Sequence, residues 1–232
     1  MAEPLVVDAL RLPARGPIRA GTSIHDGWSV EDDAASGPLR LVDCSPVTKL
    51  EVQADPTGVL AGLLAVAVGR TELFEAGILG ASPAPGEWHL FVPGPTDGLT
   101  RLLEGAAAEE FVTVADLTHG RALLRLSGAE APRALSRLCD LDLGTTSFLS
   151  GRVTVTPVAG ARTVLLRDDL FADELGLTGA GDGESDVEVP SYLLCCDRSA
   201  GTWLFGAVLA AGAAFGIEEE GYAAYRARRA EV

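Results

Sequence analysis

Three histidines (His25, His89 and His119), four cysteines and one adjacent pair of opposite charges, Arg167 and Asp168, are the residues here best suited to chemistry. The histidines lie in separate segments without carboxylate partners at ligand spacing, so the sequence spells out neither a metal cluster nor an acid-oriented base. His89, between Trp88 and Leu90, reads as a hydrogen-bonded structural residue. Cys44, Cys139, Cys195 and Cys196 have no metal-ligand spacing, and four cysteines in 232 residues are no disulfide framework. In SYLLCCD, alternation sends Cys195 and Cys196 to opposite sides of a strand and buries at least one as a small apolar residue. P-loop, H-E-x-x-H, G-x-S-x-G and strand-linked G-x-G-x-x-G patterns are missing, so phosphate and dinucleotide binding lack their usual hardware. The glycine- and acid-rich run GLTGAGDGESDVE, residues 176–188, misses the calcium-loop spacing and reads as a hairpin tip. Arg167 and Asp168 read as a polar pair at the mouth of a cleft or, equally, as an edge-strand ion pair.

These groups need a folded core to position them. Hydrophobic residues make up 47% of the chain and charged residues 22%, which is globular composition. A formal charge of −15 repels polyanions, and the basic residues form no stripe, which excludes nucleic acid and anionic membrane surfaces as partners. Arg226, Arg228 and Arg229 read as a solvated helix face. The longest low-charge stretch, residues 203–217, is shorter than the ~20 residues of a spanning helix. The N-terminus shows no charged segment leading into an apolar run, and a cytoplasmic protein is the expectation.

The order of elements is doubled. Residues 114–143, VADLTHGRALLRLSGAEAPRALSRLCDLDL, repeat a phrase written more weakly at 41–69, LVDCSPVTKLEVQADPTGVLAGLLAVAVG. In the first unit, strands are predicted over 39–43 and 49–53. A helix capped by Asp55 and Pro56 runs to Gly69. Strands around 72–79 and 88–92, separated by the turn-rich ASPAPG, precede a helix capped by Thr96 or Asp97. The second unit gives a strand, a break at Gly128, a helix with Leu135 and Leu138 on one face, strands over 152–158 and 161–166, SYLLCCD, and a helix over 200–214. Residues 87–111 can be laid on 191–215 without a gap, placing Trp88 on Tyr192, Leu90 on Leu194, Leu99 on Trp203 and Phe111 on Phe215. The predicted class is α+β: two pseudo-repeated strand-helix-strands-helix halves forming one domain. Residues 1–38 form an N-terminal extension, 39–111 and 112–217 the halves, 176–189 a flexible insertion and 218–232 a tail. Trp28 is the expected anchor of the extension on a partner.

The phrase GEWHLF, the DLTHGR start, the helix after Gly128, Gly151 opening a strand, the LLRD run ending at Asp168 and the closing AAGAAFGI together carry a resemblance. Over residues 39–217 the chain resembles the folate-binding fold shared by glycine-cleavage aminomethyltransferase, dimethylglycine dehydrogenase and the sarcosine oxidases. Within that group it is most similar to the gamma subunit of heterotetrameric sarcosine oxidase. The resemblance implies a place in one-carbon metabolism with tetrahydrofolate as the cofactor of the fold. It also implies a catalytic acid after the helix of the first half, where this chain has only AVAVG at 65–69. The second half keeps Asp142, nine positions before Gly151, as the catalytic candidate, with His119, Arg167 and Asp168 as candidate cofactor contacts. No metal is expected on this chain, and flavin is expected on alpha- and beta-type partner subunits. The function implied is that of a non-catalytic gamma-type subunit of a heteromeric flavoenzyme, supporting the folate-binding part of its partner. The alternatives are a stand-alone or homo-oligomeric protein binding tetrahydrofolate or another small molecule, with Asp142 as acid or base, and a scaffold repurposed in a biosynthetic pathway.

Overall fold

A computed structural model describes residues 13–18, 21–94, 96–144, 146–171 and 188–230. In chain order a small N-terminal sheet, β1 (Ala14–Arg15), β2 (Ser23–His25) and β3 (Trp28–Val30), precedes β4 (Leu39–Asp43) and β5 (Thr48–Gln53). Then come α1 (Val59–Leu64), β6 (Arg70–Leu73), β7 (Leu79–Ala84), β8 (Glu87–Val92), α2 (Asp97–Ala107), β9 (Thr113–Asp116) and β10 (Arg121–Gly128). The remainder is α3 (Ala131–Leu135), β11 (Val153–Val158), β12 (Ala161–Arg167), β13 (Leu170–Phe171), β14 (Glu188–Val189), β15 (Ser191–Asp197), α4 (Gly201–Gly212), β16 (Ile217–Glu220) and α5 (Tyr222–Ala230). Most of the segment expected to be a flexible insertion lies outside the described residues; at its end β14 pairs with β13.

Two sheets follow from two alternating patterns. One is six-stranded, in the order β11-β12-β15-β10-β4-β16, and the other five-stranded, β6-β7-β8-β5-β9. β12 and β15 carry apolar side chains on both faces, as burial on both sides requires, while β5, β8 and β10 also turn Lys49, His89 and Arg125 toward the other sheet. On β15, Tyr192, Leu194 and Cys196 join the core under α3 and α4, while Leu193 and Cys195 join the core between the sheets. On β8, Trp88, Leu90 and Val92 face α1 and α2, while Phe91 faces the other sheet. The result is four layers, α1 to α4 outside and two sheets face to face within, with α5 adding Tyr222 and Tyr225 to the core between the sheets, which is the doubled α+β class expected.

The halves are repeats that exchange their first strands. β4 leaves the sheet of its own half to pair antiparallel with β10, and β9 crosses to pair antiparallel with β5. A boundary at 111/112 therefore divides the chain but not the sheets. Gly128 makes the β4 pairing close: at φ +145 it lacks a side chain where a Cβ would lie 2.3 Å from the Pro38 carbonyl.

Local details differ from expectation for identifiable reasons. Helix α1 starts later than Asp55, whose carboxylate instead bonds Thr57, and Glu110 supplies the cap by accepting from the Val59 and Leu60 amides at 3.1 and 2.7 Å. It ends at Leu64, because Ala65 turns left-handed at φ 51. Most of ASPAPG is strand β7, which needs only a turn at 85–86 to reverse into β8. The gapless alignment of the halves holds for the strands, with Trp88 and Tyr192 both facing their helices. It slips by one residue in the helices, where buried Leu103 and Ala106 match Val208 and Ala211, so Leu99 corresponds to Leu204 rather than Trp203. Trp28 is no outward anchor: only 5% exposed, it packs in the inter-sheet core and stacks on His119 at a centroid distance of 4.7 Å.

Candidate functional site

Charged and polar side chains converge at one end of the central strands of the six-stranded sheet and in the layer between the sheets. The run LLRDD at the end of β12 shows the principle. Alternation sends Arg167 to the helix side, where its Nε and Nη2 bond both oxygens of Asp169 at 2.7 and 2.6 Å, and its Nη1 donates to the Phe148 carbonyl at 2.7 Å. Asp168 turns the opposite way and accepts from Arg125 Nη2 at 2.7 Å. Arg167 and Asp168 thus form no pair with each other; each belongs to a different ion pair on a different face.

Arg125 enters the inter-sheet layer because it shares the parity of Leu123 on β10. Its Nη1 also donates to Ser191 Oγ at 2.8 Å, and its Nε meets no acceptor among the described residues. Burial alone would lower its pKa, but the nearby oxygens of Tyr225 and Asp168 outweigh that, and it is held above the ordinary arginine value. Lys49 on β5 is 3% exposed and donates to the carbonyls of Ser45 and Val47 at 2.7 and 2.8 Å. Burial pushes its pKa down to about 8, against the opposing pull of Cys195 and Asp43. His89 lies on the same wall and does have a carboxylate partner: Glu87, two residues away on the same strand face, lies 2.8 Å from its Nε2. The missing signal was strand periodicity, since i and i+2 are neighbours on a strand although they are not at helical ligand spacing.

Asp142 sits in an exposed turn after α3. It accepts from the Gly144 amide at 3.0 Å and from the Ser147 hydroxyl, and these bonds, the Ser147 one foremost, hold its carboxyl below the usual range. The turn is fixed from beneath: Tyr192 donates to the Leu143 carbonyl at 2.7 Å, and Arg167 holds the Phe148 carbonyl. The structure thus brings Arg167 to the base of the turn bearing Asp142. It leaves Asp168 on the other face of the sheet and His119 in the turn before β10, at the opposite end of β15.

A folate would require a slot for the pterin, a carboxylate free to bond its N–H edge and a cation for its tail. The candidates present do not fit that demand: Asp142, Asp168 and Asp169 are each spent on a local donor, and Arg167 and Lys49 are each held within the fold. The inter-sheet layer in which Arg125 lies is filled by Trp28, Val30, Tyr222 and Tyr225. No group of three or more His, Cys, Asp or Glu among the described residues could hold a metal ion. Lys49 and Arg125 were not singled out in the sequence, though each lies in an alternating strand run, TKLEVQ or RALLRLS, where one parity must face inward.

The fold is that of the aminomethyltransferase class. The glycine cleavage system aminomethyltransferase T of Bartonella henselae superposes with a TM-score of 0.65 at 16% identity, over 94% of this chain and 62% of that one. A chain of heterotetrameric sarcosine oxidase from Corynebacterium sp. U-96 superposes with a TM-score of 0.61 at 22% identity, over 78% of this chain and 88% of that one. In sequence the chain is similar to sarcosine oxidase subunit gamma from Corynebacterium sp. (strain P-1), 26% identical over 158 residues, covering 65% of this chain and 77% of the relative. It is likewise similar to the gamma subunit from an Arthrobacter species, at 27% identity with the same coverage. No protein-family model matches the chain.

Proposed function

We propose that this chain is a non-catalytic gamma-type subunit of a heteromeric, sarcosine oxidase-like flavoenzyme in the cytoplasm, supporting the folate-binding part of a partner that carries the flavin. One observation carries the reading: the chain is similar to two gamma subunits over 77% of their length, while its candidate acid, Asp142, is tied into a turn. The inward cations support it as well, because Arg167 and Arg125 brace backbone and strands rather than face a shared space. Among the described residues no helix is long and apolar enough to cross a membrane.

The test is to co-express the chain with the alpha- and beta-type subunits of a sarcosine oxidase and to compare wild type with Asp142→Asn and Arg167→Lys. Amine oxidation and tetrahydrofolate-dependent product formation, measured per assembled complex, should equal wild type in both variants. A large loss of turnover with assembly intact would instead assign this chain a catalytic part.

A further inference from the structure

The two halves end their first strands alike but cover them differently. β4 closes on Asp43, which accepts from the Ser45 amide at 3.0 Å, and β9 closes on Asp116, which accepts from the Thr118 amide at 2.8 Å. The doubled phrase therefore matches β9 to β4 and Val114 to Leu41. β4 lies one strand in from the edge of its sheet, because β16 pairs with it in parallel, and Leu41 is 0% exposed. β9 is the last described strand of its sheet, and Val114 is 45% exposed although Val52, opposite it on β5, is fully buried. Phe111, just before β9, is 86% exposed. The repeat thus marks a sixth position in the five-stranded sheet, alongside β9 and parallel to it.

The backbone of β9 is set up for that position. The Leu117 amide donates to the Lys49 carbonyl at 2.8 Å, so alternation along the antiparallel pair turns the N–H and C=O of Ala115 toward β5 and those of Val114 and Asp116 outward. An apolar edge of this kind is normally covered, since it otherwise recruits a strand from another chain.

The chain reaches this edge from its own N-terminal side. β1 pairs with β3 at Ala14 and Trp28, the Trp28 ring stacks on His119, and Arg198 donates to the carbonyls of Arg15 and His119 at 2.8 and 3.5 Å. Ala14 is thereby fixed beside the turn that follows Asp116. A segment arriving at Ala14 along β9 runs toward that turn, as β9 does, and this parallel sense is the one β16 has on β4. At about 3.3 Å per residue, the four residues before Pro13 match the length of the four-residue β9. Residues 5–12, outside the described part of the chain, read LVVDALRL, with six apolar residues among eight, enough for cover on both faces.

We infer that residues 5–12 form the sixth strand of the five-stranded sheet, parallel to β9 with Leu10 beside Val114, and close this edge against pairing with another chain. The inference goes beyond the subunit reading and does not depend on it.

The experiment is amide hydrogen exchange on the full-length chain, resolved by residue, for wild type and Leu10→Pro. The proline removes a ladder donor and leaves the sequence of every described element unchanged. In wild type the Val114 and Asp116 amides should exchange slowly. In Leu10→Pro they should exchange at least about tenfold faster, while Ala115, bonded to β5, keeps its rate. As a second measure, the pair Leu10→Cys/Val114→Cys should close to a disulfide within one chain under mild oxidation, because neighbouring strands lie about 5 Å apart. Fast exchange of both outward amides in wild type, or protection that Leu10→Pro leaves unchanged, would overturn the inference. Protection that rises with protein concentration would give the edge to a second copy, and protection that appears only on adding an alpha-type subunit would give it to a partner; either result also overturns it.

Discussion

Removing the carboxylate of Asp168 should cost more than removing the arginine it faces. The Arg125 side chain is 5% exposed and Asp168 25% exposed, with 2.7 Å between Nη2 and Oδ2. Asp168→Ala leaves a guanidinium in the inter-sheet layer with only Ser191 Oγ at 2.8 Å and the residue-168 carbonyl at 3.3 Å. A hydrogen bond to a charged group contributes about 1.5–3 kcal/mol, and an abandoned buried charge costs about 3–5 kcal/mol. Because Asp168 stands at the wet end of the pair, water can reach part of the vacated space, and the expected loss is about 2–4 kcal/mol. Arg125→Met removes the charge and keeps an apolar filler beside Leu123 and Val164, so its cost should be about 2 kcal/mol or less. In the Arg125→Met background, Asp168→Ala should then cost only about 0.5 kcal/mol, giving a coupling of roughly 2 kcal/mol. Urea unfolding of the four proteins at neutral pH, with equal slopes, measures each term, and the Asp168→Ala midpoint temperature should fall by roughly 5–12 °C. If Asp168→Ala costs the same in both backgrounds, or less than about 0.5 kcal/mol in wild type, the buried pair does not organise this layer.

Lys49, with its pKa depressed by burial to about 8, disfavours the folded state below pH 8; as pH rises from about 8 toward the unfolded value of 10.5, that penalty should be relieved. Stability of wild type relative to Lys49→Met should therefore rise across that window, and a flat difference would contradict the assignment. Cys44 and Cys195, pushed up to about 12 by burial, and Cys196, pushed up to about 11, should resist a thiol reagent at neutral pH in the folded protein, while all four cysteines react in urea. Gly128→Ala should destabilise by about 2 kcal/mol or more, because the new Cβ meets the Pro38 carbonyl at 2.3 Å in a backbone conformation that only glycine adopts readily. A stability within about 0.5 kcal/mol of wild type would show that the β4–β10 junction yields freely.

Much of the architecture was legible because it rests on periodicity. SYLLCCD buries both cysteines, one on each face, as strict alternation in a doubly covered strand requires. The doubling of strands and helices was visible as well, because each unit repeats the same apolar spacing. What could not be read was long-range. Nothing local tells β4 and β9 to change sheets, since exchanged and unexchanged pairings bury the same faces. The cap on α1 comes from Glu110, fifty residues away, while Asp55 offered a local signal and spent it on Thr57. The candidate residues suffered the same limit: the sequence places Arg167 beside Asp168, but pleating separates them and gives each another partner.

The most direct measurement is a native mass of the protein purified from its own source, with bound small molecules retained. The expected result is a heteromeric complex holding this chain and chains that carry flavin, with no folate on this chain when it is released. A monomer or homo-oligomer of this chain that carries tetrahydrofolate would contradict it.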